Sequence, residues 1–148
     1  MKNNSYQALL ADTDELKEKA FVLREEVFVV EQKVDKREEF DEYETSSRHF
    51  VVLDDSGDAI GACRWRRTDY GIKMERFAVK ATRRGMGIGQ ALVQAAIEDI
   101  TTQEGTGQRL YMHAQLSAIG LYKKFGFKKV GDMFEECQIQ HYKMEWIN

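Results

Sequence analysis

Between residues 14 and 30, apolar side chains recur every three or four positions. Leu16, Ala20, Leu23, Val27 and Val30 would share one face of an amphipathic helix, with Asp12, Thr13 or Asp14 available to cap it. The period then shortens. Residues 48–54 and 59–67 are strand-like runs, and the turn residues Asp55, Ser56, Gly57 and Asp58 between them suit a hairpin. A second turn signal, from Thr68 to Gly71, leads into a third strand over 72–79. Helical spacing returns over 87–103, directly after a glycine-rich segment. Residues 109–115 read as a further strand, 117–125 as a short helix and 137–146 as a last strand with period-two alternation. Hairpins first and a βαβ unit in the middle predict a mixed α/β fold. No repeat or linker-like stretch divides the chain, so residues 1–148 are expected to form one domain.

Composition narrows this further. Of 148 residues, 43% are apolar and 32% charged, enough for a packed core under a solvated surface, which excludes disorder as the dominant state. No apolar run approaches the roughly 20 residues of a membrane span, and the first fifteen residues lack a secretory apolar segment. A soluble, cytoplasmic protein with no membrane partner is the expectation. Cys63 and Cys137 form neither a disulfide framework nor a zinc cluster, and His49, His113 and His141 have no metal-ligand spacing, so no metal is expected. Charge is uneven: residues 1–60 hold 16 acids against 8 bases, and residues 61–148 hold 9 acids against 14 bases. That asymmetry fits either an unevenly solvated surface or two partners of opposite sign. With a pI near 5.7, a nucleic-acid partner is not expected.

The segment Arg83-Arg84-Gly85-Met86-Gly87-Ile88-Gly89 lies between a strand and a helix. Alternating glycines let the backbone turn tightly and approach a ligand, so that successive N–H groups and the helix start can meet one oxyanion. The spacing is not the G-x-G-x-x-G of a dinucleotide fold, and no Gly-Lys pair makes a Walker loop.

The frame Arg84-x-x-Gly87-x-Gly89 does match the pyrophosphate-binding motif of the GNAT superfamily of N-acetyltransferases, which the chain resembles over nearly its whole length. The helix ending Leu121-Tyr122-Lys123-Lys124-Phe125-Gly126-Phe127 stands at the matching distance. Within the superfamily the chain is most similar to the ElaA- or YjcF-like branch. The segments that carry this likeness are Leu23 to Gln32, His113-Ala114-Gln115, and Glu136 to His141 followed by Met144. The resemblance implies a twisted, mixed, mostly antiparallel sheet of six to seven strands, splayed in the middle and flanked by helices. It also implies acetyl-CoA as cosubstrate, with the pyrophosphate held by Arg83, Arg84, Gly85, Met86, Gly87, Ile88, Gly89 and Gln90. The pantetheine arm would pair with Phe77, Ala78 and Val79, an N–H near Phe77 would stabilise the oxyanion, and Gln115 would stand where the family commonly has asparagine. A homodimer is a further implication.

Two proton movements complete such a reaction, one off the amine and one onto the thiolate. The resemblance assigns the second to Tyr122 and makes Glu75, two residues before Phe77, the candidate for the first. The alternative for Glu75 is a surface carboxylate paired with Lys73 or Arg76. Arg24, Glu31, Glu136 and His141 are candidates to face the acceptor, a small-molecule or peptide amine. The acidic segment Glu38 to Glu44 is either an attractor for a cationic amine or a solvated loop. The alternative to an enzyme is a non-catalytic acyl-CoA-binding module of the same fold.

Overall fold

The computed structural model describes residues 6–148; residues 1–5, which the one-domain and amino-terminal expectations include, lie outside the described residues. In chain order the elements are β1 (Ala8–Leu10), α1 (Asp14–Arg24), α2 (Lys36–Glu39), β2 (Arg48–Leu53), β3 (Ala59–Arg67), β4 (Ile72–Val79), α3 (Ile88–Glu104), β5 (Arg109–Gln115), α4 (Ile119–Lys123), β6 (Lys128–Glu136) and β7 (Ile139–Ile147). The strands form one sheet in the order β1-β2-β3-β4-β5-β7-β6. Among the described residues only β4 and β5 run parallel; every other neighbouring pair is antiparallel. This is the mixed, mostly antiparallel sheet expected. Among the described residues, no helix is long and apolar enough to cross a membrane.

The expected first helix begins where predicted, with Thr13 as its cap, its side chain accepting from the Leu16 N–H at 3.2 Å. It does not continue as an α-helix to residue 30. From Glu25 to Glu31 the turn widens to a π-helix, and the Gln32 N–H donates back to the Val27 carbonyl. The wider turn moves the apolar stripe: Phe28 becomes buried, while Val30, expected on the core face, is 60% exposed. Helix α2 was not expected either, and the remaining differences are at the edges of the sheet. Strand β6 was not expected because almost all its side chains are exposed, so it carries no alternation of buried and exposed positions. Strand β1 is only three residues long. The last strand begins at Ile139, since Cys137 and Gln138, both with positive φ, make the turn from β6.

Helix α3 packs Ile88, Leu92, Val93, Ala96 and Ile100 against one face of the sheet, on Phe50, Val52, Cys63, Trp65 and Met112. The other face is covered by Ala20, Leu23, Val27 and Phe28, packed on Ala62 and Ala78. Gly61 of β3 sets how closely α3 approaches: a Cβ there would lie 2.5 Å from Ile88 Cγ2 and 3.2 Å from Leu92 Cδ1.

In the middle of the sheet two features open a cleft. Strands β4 and β5 pair only at Ile72↔Leu110 and Lys73↔Tyr111, so from Met74 onward the edge of β4 has no β5 partner. On its other side β4 carries a bulge: Ala62 pairs with Ala78 and Arg64 with Glu75, leaving Arg76 and Phe77 together opposite Cys63. Arg76 takes a left-handed conformation, φ +61°, which a side-chain-bearing residue adopts only when its surroundings impose it.

Because the β3–α3 contact has no room for a side chain, Gly61→Val is expected to destabilise the fold by about 1–3 kcal/mol, read as a lower urea midpoint.

Candidate active site

The glycine segment forms the entrance. Gly85 and Gly87 have φ +79° and +88°, so their conformation requires glycine, and Gly87 caps α3 in a left-handed turn. A Cβ at Gly85 would meet nothing within 4 Å, and one at Gly87 would reach only Gln90 Oε1, so the space beside the loop is open. The amides that begin the 17-residue α3 have no carbonyl earlier in the helix to bind. With Arg83 and Arg84 alongside, these amides fit a pyrophosphate. Met86 points away from this cradle, its sulfur accepting from the Tyr6 hydroxyl at 3.6 Å.

Behind the loop a cavity of about 1090 Å³ runs through the gap between β4 and β5. Phe77, Val79, Gln115 and Tyr122 line its middle, while Ala78 turns its side chain to the opposite, buried face. Tyr122 is 4% exposed, stacks edge-on to Phe77 at 5.6 Å, and burial raises its phenol above the ordinary range, so it stays protonated across neutral pH. Nearby Cys63 is likewise pushed up by burial, and it is an inert packed thiol.

Two links cross the cleft mouth, both made by the end of the π-helical turn. Glu31 binds Arg84 through two hydrogen bonds, 2.6 and 2.8 Å. Gln32 and Gln115 exchange amide hydrogen bonds, at 2.9 and 3.4 Å. Glu31 therefore stands at the glycine-loop end, away from the acceptor end where it was expected. Gln115 faces the cleft but is joined to Gln32, which was not among the expected site residues, because the register of a π-turn is not legible in a hydrophobic pattern.

Arg24 corrects a second expectation. It is 1% exposed and absent from the cavity wall, held by Glu39 (2.9 Å) and by both oxygens of Glu44 (2.8 Å each). The acidic segment Glu38 to Glu44 is thus no solvated loop, and most of its charge does not await a ligand. Glu39, Asp41 and Glu44 reach inward to Arg24, Arg64 and Arg76. The opposite charges of the two halves of the chain are to that extent partnered with each other.

Glu75 belongs to this ionic cluster. Its Oε1 accepts from Arg64 at 2.7 and 3.1 Å and from Arg66 at 2.7 Å, and its Oε2 lies 3.3 Å from Lys73. Burial alone would raise its pKa, but Arg64, Lys73, Arg66 and Arg76 outweigh burial and hold it at about 2. A carboxylate so stabilised is a weak base, and the ion-paired alternative for Glu75 is the one the geometry supports, except that the carboxylate is buried and not at the surface, because β4 lies in the middle of the sheet.

The far end of the cavity holds Lys73, His113, Glu136, Cys137 and His141, with Glu38 at its rim. Glu136 stands 3.3 Å from His113 Nδ1 and 3.9 Å from His141 Nε2. The hydrogen bond with His113 lowers the Glu136 pKa further than burial raises it. Burial and Glu38, whose carboxylate accepts from the Cys137 thiol at 2.8 Å, push that thiol up to about 11. Glu136 and His141 are thus brought together as expected. Lys73 and His113 were not singled out, although the period-two alternation of β4 and β5 places them on the face that carries Glu75 and Gln115.

The chain is similar to known proteins in both sequence and fold. A family described as an acetyltransferase (GNAT) domain matches residues 10–148. An uncharacterized N-acetyltransferase of Bacillus subtilis, YjcF, is 37% identical over 139 residues, covering 93% of this chain and 97% of YjcF. Two crystal structures share the fold at 24% identity and a TM-score of 0.81: Escherichia coli ElaA, over 95% of this chain and 97% of that one, and an acyl-CoA N-acyltransferase from Pseudomonas aeruginosa, over 95% and 98%. The resemblance to the ElaA- or YjcF-like branch therefore holds in both sequence and fold.

The Glu75 pKa is depressed in the folded protein, from a reference value of 4.5 to about 2. Its stabilising contribution is present above about pH 4.5 and lost as pH falls toward 2. The loss is on the order of 3 kcal/mol, and Glu39, which burial shifts the opposite way, offsets part of it. Urea midpoints measured across that window should fall steeply for the wild type and more shallowly for Glu75→Gln, which starts lower at neutral pH.

Proposed function

The chain belongs to the GNAT acetyltransferase family, and from that premise we propose that it transfers the acetyl group of acetyl-CoA to a primary amine by direct attack in a ternary complex. The observation that carries this reading is one continuous cavity. It joins the glycine cradle, through the gap between β4 and β5, to Tyr122 and a polar pocket. An elongated anionic cosubstrate and an amine could then meet from opposite ends.

Acetyl-CoA brings a thioester, an acyl group already activated for transfer to an amine. The amides that begin α3, with Arg83 and Arg84, hold the pyrophosphate. The unpaired edge of β4 supplies backbone partners for the amide groups of the pantetheine arm, in the manner of an added strand. The bulge at Arg76–Phe77 takes the backbone out of the ladder with β3, leaving an N–H at Phe77 for the oxyanion that forms on attack. Tyr122, kept protonated by burial, donates to the departing sulfur. Glu75 acts one step removed, by holding the cations that hold the bulge.

Thiol release from acetyl-CoA, measured against a panel of amines, tests the reading. Tyr122→Phe is expected to lower kcat by about 100- to 10,000-fold without changing the affinity for acetyl-CoA. Binding of acetyl-CoA without thiol release for any amine would instead establish the non-catalytic module. Because Glu31 competes with the pyrophosphate for Arg84, Glu31→Gln is expected to tighten acetyl-CoA binding by up to about fivefold, the worth of an exposed ion pair, as read by calorimetry.

A further inference from the structure

We infer that His141 is the general base of this transfer: its Nε2 takes the proton from the attacking amine, and Glu136 stabilises the imidazolium that results. The inference rests on the acetyl-transfer reading and fills the role for which Glu75 is too weakly basic.

His141 stands on β7 opposite Gln115, the last residue of β5, and opposite Phe134 of β6, where the sheet opens onto the cavity. Its side chain is 7% exposed and stacks on the Phe134 ring at 5.7 Å, with 22° between the planes, which fixes the plane of the imidazole. Nδ1 lies 2.7 Å from the Ile139 carbonyl oxygen. A carbonyl oxygen only accepts, so Nδ1 carries a hydrogen, and the neutral ring is left with its lone pair on Nε2. That nitrogen has no hydrogen-bond partner among the described residues; Glu136 Oε2 stands 3.9 Å away, outside bonding reach but close enough to steady a positive ring. A buried imidazole with its tautomer set by the backbone and its free nitrogen at a cavity wall is a base positioned in advance.

The charged and titratable groups around it agree. Strand β6 contributes Glu136, which His113 of β5 binds through its other oxygen. Strand β4 contributes Lys73 and Glu75, already paired with each other, α2 contributes Glu38, bound by Cys137, and Lys143 lies two residues along β7. Of these only Glu136 is placed to compensate a proton on Nε2.

The proton balance closes. An alkylammonium loses one proton on becoming a free amine and a second as its nitrogen bonds to the acyl carbon. The carbon–sulfur bond breaks with its electron pair on sulfur, which takes a proton from Tyr122. Tyr122 is reprotonated from the pool that His141 receives, and one proton leaves to solvent.

Thiol release from acetyl-CoA by the full chain, with hydroxylamine, a monoamine, a polyamine and lysine as acceptors, tests the assignment. His141→Gln is expected to lower kcat by about 100- to 10,000-fold, keep the acetyl-CoA affinity, and abolish the acid limb of the kcat/KM profile. The loss should be smaller with hydroxylamine, which is unprotonated at neutral pH. Glu136→Gln should displace the limb without removing it. Turnover by His141→Gln with the limb intact overturns this inference and leaves acetyl transfer standing, whereas no thiol release from the wild type with any amine overturns both. Nitrogen NMR of the wild-type imidazole gives an arm that no folding defect confounds: an Nδ1–H tautomer is expected, and an Nε2–H tautomer overturns the assignment.

Discussion

Arg76 is held in a left-handed conformation in the middle of a strand, and the rest of the site follows from the ions that keep it there. Its guanidinium reaches Asp41 at 3.1 Å, Glu39 Oε2 at 3.3 Å and the Glu39 carbonyl at 3.1 Å. Those acids are in turn placed by Arg24 and Arg64, both almost fully buried. Arg64 directs all of its N–H groups to Asp41, Glu44 and Glu75. Buried ions are costly unless each is matched, and here they are matched; beyond stability the cluster provides geometry, fastening the segment around α2 to β3 and β4 and keeping β4 bulged. Without the bulge Phe77 would lie in the ladder with β3.

The same arrangement separates two kinds of electrostatics. At the glycine loop the groups are exposed, Arg84 45% and Glu31 38%, and a pair so open to water is weakly held. In the ionic cluster the groups are buried or half-buried and paired with one another. The far end of the cavity lies between these extremes. There Glu136 has, among the described residues, only histidines as ion-pair partners, and one imidazole nitrogen is left over.

Much of the fold was legible because buried faces leave a periodic trace. The strands 59–67, 72–79 and 109–115 and the helix after the glycine segment all appear where alternation or helical spacing places them. Strand β6 was not legible, because an exposed edge strand buries too little to impose a pattern. The π-turn over Glu25–Glu31 was not legible either, since a change of helical pitch leaves composition untouched while turning Val30 outward and Phe28 inward.

The site divides the same way. By itself the sequence determined the glycine loop, because glycines in that order before a helix specify backbone geometry locally, and it marked Tyr122, Glu136 and His141 as chemically capable groups. Which carboxylate is structural and which is free was decided only by the tertiary structure. Glu75 and Glu136 are the same residue type, both on strands facing one cavity, and they differ because four cations from β3 and β4 converge on one and two histidines from β5 and β7 on the other. Proton affinity is set by neighbours distant in the chain, and those neighbours are known only once the strands are paired.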